Sequence, residues 1–200
     1  MALKTPIRID GREWTLFKDY DKPYYPTLSL QGKIEYLEKR VQLILIDPLE
    51  EIKRKSLAKE TDEYYWLCIV TLVCCAIEAT GAYLVGRDRK SAKKKRANFR
   101  AFESFINEYM SVYKPYVDDL WSYFRNGLAH GFCIEKGGIE LNLTKPAKRD
   151  AKVGVQINAD EFFDNLKRGF SNYIEDLRKQ LVGAKIIQNF EKTWRWVFLS

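Results

Sequence analysis

Apolar residues recur every three or four positions along most of the chain, the spacing that places them on one face of an α-helix. The segment from residue 66 to residue 77 is apolar on every side except at Thr71, which is typical of a central helix packed against several neighbours. Such patterns predict helices over residues 33–45, 47–59, 61–84, 99–109, 117–131, 160–177 and 184–198. We therefore predict a mainly α-helical bundle.

Two polar signals predict where helices begin. Asp47 is a good N-cap, Pro48 suits the first helical position, and Glu50 completes the spacing of a capping box. The first helix should therefore end before Asp47, and a second should begin there. Asp160 is the predicted cap of the long helix in the C-terminal part of the chain.

Alternation around glycines predicts small β additions. Asp10-Gly11 predicts a hairpin near the N-terminus, and Gly137-Gly138 predicts a turn between strands at 132–136 and 139–143, with a third strand at 153–157. The predicted organisation is one domain, with an extended lead-in at 1–30, a basic loop at 86–100, a β insertion at 132–157 and C-terminal helices at 160–200.

Composition excludes several classes of protein. Of the 200 residues, 46% are apolar and 30% charged, which is typical of a globular domain and not of a disordered chain. The four cysteines lack C-x-x-C spacing, and one histidine excludes metal sites that need two imidazoles, so we predict no metal and no cofactor. The twelve-residue apolar run is too short to cross a bilayer and the N-terminus lacks a signal sequence, so no membrane association and a cytoplasmic location are expected.

The net charge of +7 lies in one segment. Between residues 86 and 100, eight basic residues face one acid, Asp88, and the rest of the chain is neutral overall. Because like charges repel one another, this concentration indicates a polyanionic partner held through phosphates; a solvated loop is the alternative. The predicted substrate-binding residues are Arg87, Arg89, Lys90, Lys93, Lys94, Lys95, Arg96 and Arg100.

The only histidine, His130, closes the segment RNGLAH at residues 125–130. On an α-helix Asn126 and His130 share a face, so the amide is predicted to hold one imidazole nitrogen. Arg125 and His130 lie about 140° apart around an ideal α-helix, so either Arg125 reaches round or the helix unwinds. A guanidinium beside an imidazole suits a phosphate, because the first offers paired donors and the second transfers protons near neutral pH.

Arg125, Asn126 and His130 resemble the signature of the HEPN superfamily, in which an arginine, a polar residue and a histidine follow R-x4–6-H spacing on a helical bundle. The resemblance covers residues 33–182 in outline and implies a HEPN-like fold in which these three residues are catalytic. It implies a metal-independent ribonuclease, of the kind found among toxins and phage-defence effectors. Its substrate would be RNA, and an antitoxin or regulatory protein would be a further partner.

One histidine cannot act on both sides of an in-line reaction, so we predict a homodimer that combines two copies of Arg125 and His130. Two alternatives stay open: a non-catalytic HEPN-like module that binds a protein or nucleotide, and a basic accessory protein that binds nucleic acid. For His130 the alternative is a core or capping role. For Arg125 the alternative is a surface salt bridge to Asp118, Asp119 or Glu135. Glu78 interrupts an apolar helix, so it either pairs with Arg125 and orients it or faces solvent at the edge of the helix.

Overall fold

The structure of the chain, a computed structural model, describes residues 7–14, 27–57, 65–131, 133–134, 136–140 and 143–199. Its helices are α1 (Leu30–Val41), α2 (Asp47–Leu57), α3 (Tyr65–Val85), α4 (Arg89–Ala92), α5 (Ala97–Tyr109), α6 (Val117–Asp119), α7 (Ala159–Lys179) and α8 (Lys185–Leu199). Its strands are β1 (Ile7–Ile9), β2 (Arg12–Trp14), β3 (Gly137–Ile139), β4 (Ala147–Asp150) and β5 (Gly154–Ile157). The predicted mainly α-helical fold with small β additions is confirmed.

The helix α3 lies at the centre of the bundle. Its Val70, Val73 and Ile77 are fully buried, and it contacts α2, α5, α7 and α8. A sequence that is apolar on every side suits this position, because a helix surrounded by others has no wet face. With 21 residues, α3 is longer than its apolar run suggested and is long and apolar enough to cross a bilayer, but 56% of its most apolar window is buried inside the protein. That is the environment of a core helix.

The predicted start of a second α-helix at Asp47 is confirmed, but the predicted break before it is wrong. A π-helical turn, Gln42–Ile46, joins α1 to α2 without interrupting the helix, and the N–H of Asp47 donates to the carbonyl of Gln42, five residues back. The widened turn accommodates Pro48, because proline lacks the N–H that a regular α-helix uses. The helix α1 begins at Leu30, where the Ser29 hydroxyl caps the next turn.

The predicted turn at Gly137-Gly138 is also wrong. Both glycines lie in β3, which runs parallel to β5, whereas the hairpin joins β4 to β5 through residues 151–153. A Cβ at Gly137 would lie 2.2 Å from the Val155 carbonyl oxygen and 3.0 Å from the Phe124 ring, so this glycine permits close packing and not a turn. The predicted third strand is confirmed as β5.

The N-terminal hairpin is confirmed, since Asp10 and Gly11 join β1 to β2 in antiparallel register. The Asp10 carboxylate accepts from the backbone N–H of Ser29 at 2.9 Å and from its hydroxyl at 3.1 Å, which ties the hairpin to the start of α1. The rest of the predicted lead-in before residue 27 lies outside the described residues, as does the predicted start of α3 at residues 61–64.

The cap of α7 is Asn158 and not Asp160. The Asn158 side-chain oxygen accepts from the N–H of Glu161 at 3.1 Å, and its amide nitrogen donates to the Leu143 carbonyl at 2.9 Å. Asparagine at this position therefore satisfies the helix end and the preceding loop at once, which a carboxylate cannot do. Asp160 lies in the first turn of α7 and pairs with Lys53.

The stretch Leu120–Gly131, called the motif helix below, is π-helical. It follows α5, a 3₁₀ turn at Ser111–Tyr116 and the short α6, so the predicted break between the helices at 99–109 and 117–131 is confirmed. Leu120, Phe124 and Leu128 are buried on the side that packs against α3. His130, near the end of the motif helix, is exposed.

Candidate functional site

The carboxylate of Glu78, on α3, joins two arginines that are far apart in the sequence. One oxygen, Oε2, accepts from Nε of Arg125 at 2.9 Å and lies 2.7 Å from its Nη2. The other oxygen, Oε1, accepts from Nη1 of Arg87 at 3.4 Å. The side chains of Glu78, Arg87 and Arg125 are only 13%, 16% and 17% exposed, so water screens this triad poorly.

Arg125 is held from three directions. Besides Glu78, its Nη1 donates to the side-chain oxygen of Asn126 at 3.0 Å, and its guanidinium carbon lies 4.9 Å from the centre of the Trp121 ring. The predicted pairing of Glu78 with Arg125 is confirmed. Among the alternative surface partners, Asp119 pairs instead with Arg149, and Glu135 lies outside the described residues. Arg125 is thus presented in a fixed orientation beside α3.

The predicted hydrogen bond between Asn126 and His130 is not formed. The Asn126 oxygen is occupied by Arg125, because a charged donor makes the stronger bond, and no described residue hydrogen-bonds to the His130 ring. His130 is exposed, so the core alternative for this residue is wrong. It lies in the last turn of the motif helix.

The π-helical geometry changes how Arg125 and His130 relate. In a π-helix the hydrogen bonds run from one residue to the fifth along, so residues five apart lie about one turn apart. Arg125 and His130 therefore come to neighbouring positions on the motif helix and not to the wide angle of an ideal α-helix. The helix is therefore unwound relative to an ideal α-helix, and the unwinding begins at Leu120.

The basic segment, residues 86–100, is not the loop that the sequence suggested. Asp88 and Ser91 form a reciprocal capping box that starts α4, and the Ser91 N–H, donating at 2.6 Å, holds the pKa of Asp88 well below its usual range. Arg96 adopts the left-handed conformation, with φ of 63°, immediately before α5. The basic segment therefore contains the starts of two helices, α4 and α5, and is not an irregular loop.

The eight basic residues of this segment divide into one inward and seven outward side chains. Arg87 is part of the Glu78 triad and stacks on Trp196, with 5.3 Å between the guanidinium carbon and the ring centre. The outward residues are Arg89, Lys90, Lys93, Lys94, Lys95, Arg96 and Arg100. Since Arg87 and Arg125 share Glu78, the two predicted clusters, the motif and the basic segment, are adjacent in the fold.

Three residues of α8 that the sequence analysis did not assign to the site lie beside the basic segment. Lys192, Arg195 and Trp196 line a cleft of about 790 Å³ together with Arg89 and Lys90. The positions of these residues around α8, relative to its buried face, are the sequence signal that could have identified them. Trp194 is buried, so Trp196, two residues along, lies off the core face together with these two cations.

The described residues contain no group of three or more His, Cys, Asp or Glu side chains that could hold a metal ion. Of the cysteines, Cys75 is near Arg125 and Glu78, and partial burial raises the pKa of its thiol. A raised pKa keeps this thiol protonated near neutral pH, which makes it a poor nucleophile.

Comparisons with protein-family models, with characterised proteins and with solved structures found no match to this chain. The HEPN resemblance thus rests on the RNGLAH segment and its helical surroundings.

Proposed function

We propose that this protein is a metal-independent endoribonuclease of HEPN type that cleaves RNA through attack by the ribose 2′-OH, and that it acts as a toxin or a defence effector. The observation that carries the proposal is the Glu78 triad, which places the motif arginine, Arg125, next to Arg87 at the head of the only strongly basic segment. In this proposal, a phosphate attracted by that segment contacts the guanidinium of Arg125 and the exposed imidazole of His130, which lies at the end of the motif helix that also carries Arg125.

Each residue has a distinct role in the proposed reaction. Arg125 retains N–H donors beyond those used by Glu78 and Asn126, and these stabilise the charge that builds on the phosphorane. His130 of one protomer takes the proton of the 2′-OH, and His130 of the other protonates the leaving 5′-oxygen. The products are a 2′,3′-cyclic phosphate and a 5′-hydroxyl.

The second protomer docks, in this proposal, on an apolar stripe of α3. Tyr65, Cys68, Leu72, Cys75 and Ala79 are all exposed, and they follow the three–four spacing by which helices pack against one another. None carries a charge, so two copies of the stripe meet without like-charge repulsion. Because Cys75 is close to Arg125 and Glu78, a partner seated on the stripe approaches the candidate site and completes it.

The test combines cleavage with oligomeric state. We expect His130→Ala and Arg125→Ala each to lower cleavage of single-stranded RNA by roughly 10²-fold or more, with the far-UV circular dichroism spectrum unchanged. Arg54→Ala, which removes an exposed arginine from its pair with Glu51, is the matched control and should cleave normally. EDTA should have no effect. Full activity of the His130→Ala protein would overturn the proposal.

The dimer is tested in the same samples by light scattering. Leu72 and Val153 are similarly exposed, at 41% and 47%, but only Leu72 belongs to the stripe. Leu72→Glu should give an inactive monomer, whereas Val153→Glu should remain an active dimer. A fully active monomer would contradict the composite site, and a dimeric Leu72→Glu protein would contradict the α3 interface.

One observation favours a second candidate, a non-catalytic HEPN-like module that binds a protein or nucleotide. Glu78 and Asn126 already engage Arg125, as expected of an arginine kept for structure. Such a module would bind its ligand without cleaving RNA. The exposed cations of the basic segment favour a third, a basic accessory nucleic-acid-binding protein, whose binding would depend steeply on salt and survive loss of His130.

A further inference from the structure

A cavity of about 570 Å³ lies between α1 with its π-helical turn, α3 and α8. Its apolar walls include Val41 from α1, Ile44 from the π-helical turn, Ala79 from α3, and Val197 and Phe198 from α8. These elements are far apart in the sequence, so no local pattern predicts the cavity. Ligand sites in proteins are typically concave, mostly apolar and of this size, with a few polar groups that converge on them.

The apolar surface of the cavity is open to solvent. Ile44 is 39% exposed, Val197 is 49% exposed, and Ala79 is exposed as well. Isolated apolar side chains on a protein surface need no explanation. Apolar side chains that converge on one cavity from separate helices, and stay uncovered there, indicate an apolar occupant.

The polar side of the cavity carries an excess of positive charge. Arg40 and Arg87 line it, and Glu78 is the only acid among the described residues of its lining. The Glu78 carboxylate is shared with Arg125, whose Nη2 lies 2.7 Å away, so it cannot neutralise both cations of the cavity. An anionic group would balance this charge, whereas a cationic group would be repelled.

Arg87 has donors that its protein partners do not use. Its only side-chain hydrogen bond within the described part of the chain is the long one to Glu78, at 3.4 Å, and its Nε has no partner there. Arg125, by comparison, is held by bonds of 2.9 and 3.0 Å to Glu78 and Asn126. A guanidinium offers five N–H donors in one plane, an arrangement that matches the two oxygens of a carboxylate. Arg87 is therefore the member of the triad suited to bind a further anion.

We propose that this cavity binds an amphipathic anion, a carboxylate on an unbranched hydrocarbon chain of about ten carbons, whose size suits a cavity of this volume. The carboxylate lies on Arg87 beside Arg40, and the chain packs against the apolar walls. Burial of the chain supplies the binding free energy, and the arginines select the charge of the head group. The inference does not rest on the proposed function, because it uses neither His130 nor RNA.

The test measures binding of decanoate, below its micellar concentration, to the wild-type protein by isothermal titration calorimetry. Each buried CH₂ group should strengthen binding about three- to four-fold, so octanoate should bind about ten-fold more weakly than decanoate. Decyltrimethylammonium has the same chain and the opposite charge, and it should bind at least about ten-fold more weakly than decanoate, because it meets two arginines.

Matched variants locate the site. Arg87→Gln should weaken decanoate binding about ten-fold or more, whereas Arg89→Gln, which removes a neighbouring cation outside the cavity lining, should bind as wild type does. Val197→Glu places a carboxylate in the cavity and should abolish binding. Val153→Glu alters an equally exposed valine elsewhere, 47% against 49%, and should have no effect. Thermal melting confirms folding, and Val197→Glu, at a half-exposed position, keeps the test decisive if Arg87→Gln fails to fold.

The apolar stripe of α3 provides a further control. Leu72 belongs to the stripe but is not among the described residues that line the cavity, so Leu72→Glu should bind decanoate as wild type does. Binding confined to wild type or to Leu72→Glu would mean that a second copy of the chain completes or covers the cavity, and would overturn the proposal.

Three other results would also overturn it: no binding of decanoate, equal affinity for decanoate and decyltrimethylammonium, or equal losses for Val197→Glu and Val153→Glu. The proposed activity fails or stands separately. If decanoate binds in the cavity but the wild-type protein never cleaves RNA, the cavity assignment stands and the ribonuclease assignment falls.

Discussion

The Glu78 triad yields a prediction about stability that does not depend on function. Glu78→Gln keeps the size and shape of the side chain but removes the charge that balances Arg87 and Arg125. Hydrogen bonds to charged groups contribute about 1.5–3 kcal/mol each, and an unbalanced partly buried charge adds a penalty of its own. Because the contact with Arg87 is long, at 3.4 Å, and all three groups retain some exposure, we expect a loss of about 2–4 kcal/mol in the free energy of unfolding.

The measurement is urea unfolding followed by circular dichroism, on wild type, Glu78→Gln, Arg125→Met and the double variant. For a domain of this size the same loss lowers Tm by about 4–16 °C. If Glu78 acts through Arg125, the double variant should be less destabilised than the sum of the single variants, with a coupling of at least about 1 kcal/mol.

The matched control is the Glu51–Arg54 pair, which has similar geometry, with Arg54 Nη2 2.8 Å from Glu51 Oε1, but is 50% and 63% exposed. Glu51→Gln should leave the unfolding curve unchanged, because exposed pairs are screened by water and lose side-chain entropy on forming. Additive effects of Glu78→Gln and Arg125→Met, or an equal loss for Glu51→Gln, would refute the claim that burial makes this triad strong.

Two further predictions concern packing and pH. A Cβ at Gly81 would lie 1.9 Å from the Ala101 carbonyl oxygen, so Gly81→Ala should force α3 and α5 apart and lower the free energy of unfolding by at least about 2 kcal/mol in a urea titration. The control Gly138→Ala, where a Cβ would have nothing within 4 Å, should leave the stability unchanged. Equal effects of the two substitutions would contradict the packing argument. The hydrogen bond from Lys33 lowers the pKa of Glu191 in the folded state below the ordinary value of 4.5. The pair therefore stabilises the fold fully above pH 4.5, and this stabilisation is lost as the pH falls through the lowered pKa of Glu191. The urea midpoints of wild type and Glu191→Gln should therefore differ most near neutral pH and converge in acid; a constant difference would exclude the carboxylate as the cause.

The errors in the sequence-based predictions have a common physical origin. Asp47-Pro48, Gly137-Gly138 and Asp160 each carry a correct local signal for a helix start, a turn or a cap. At each position a neighbouring part of the fold changed the outcome. A π-helical turn accommodates Pro48 without a break, β5 and Phe124 approach Gly137 too closely for a side chain, and Asn158 bonds two partners at once. Local propensities are weak compared with the packing and hydrogen bonding of the folded chain.

The site could be anticipated only in part. The sequence singled out Arg125 and indicated that Glu78 could pair with it, because a carboxylate within an apolar helix needs a counter-charge. It did not indicate that Asn126 would hold Arg125 instead of His130, since which bond an amide makes depends on distances of tenths of an ångström. It also did not indicate that Arg87 would turn inward while its neighbours stayed in solvent.

The sequence by itself determined that the protein is mainly helical, that α3 is central, and that the positive charge is confined to one segment. These properties follow from periodicity and composition, which are local and can be counted along the chain. Only the tertiary structure decided that Glu78 joins Arg87 to Arg125, and that Trp196 lies against the basic segment. The contact between Glu78 and Arg125 links residues 47 positions apart, and that between Arg87 and Trp196 links more distant ones; both exist because the motif helix and α8 pack against α3.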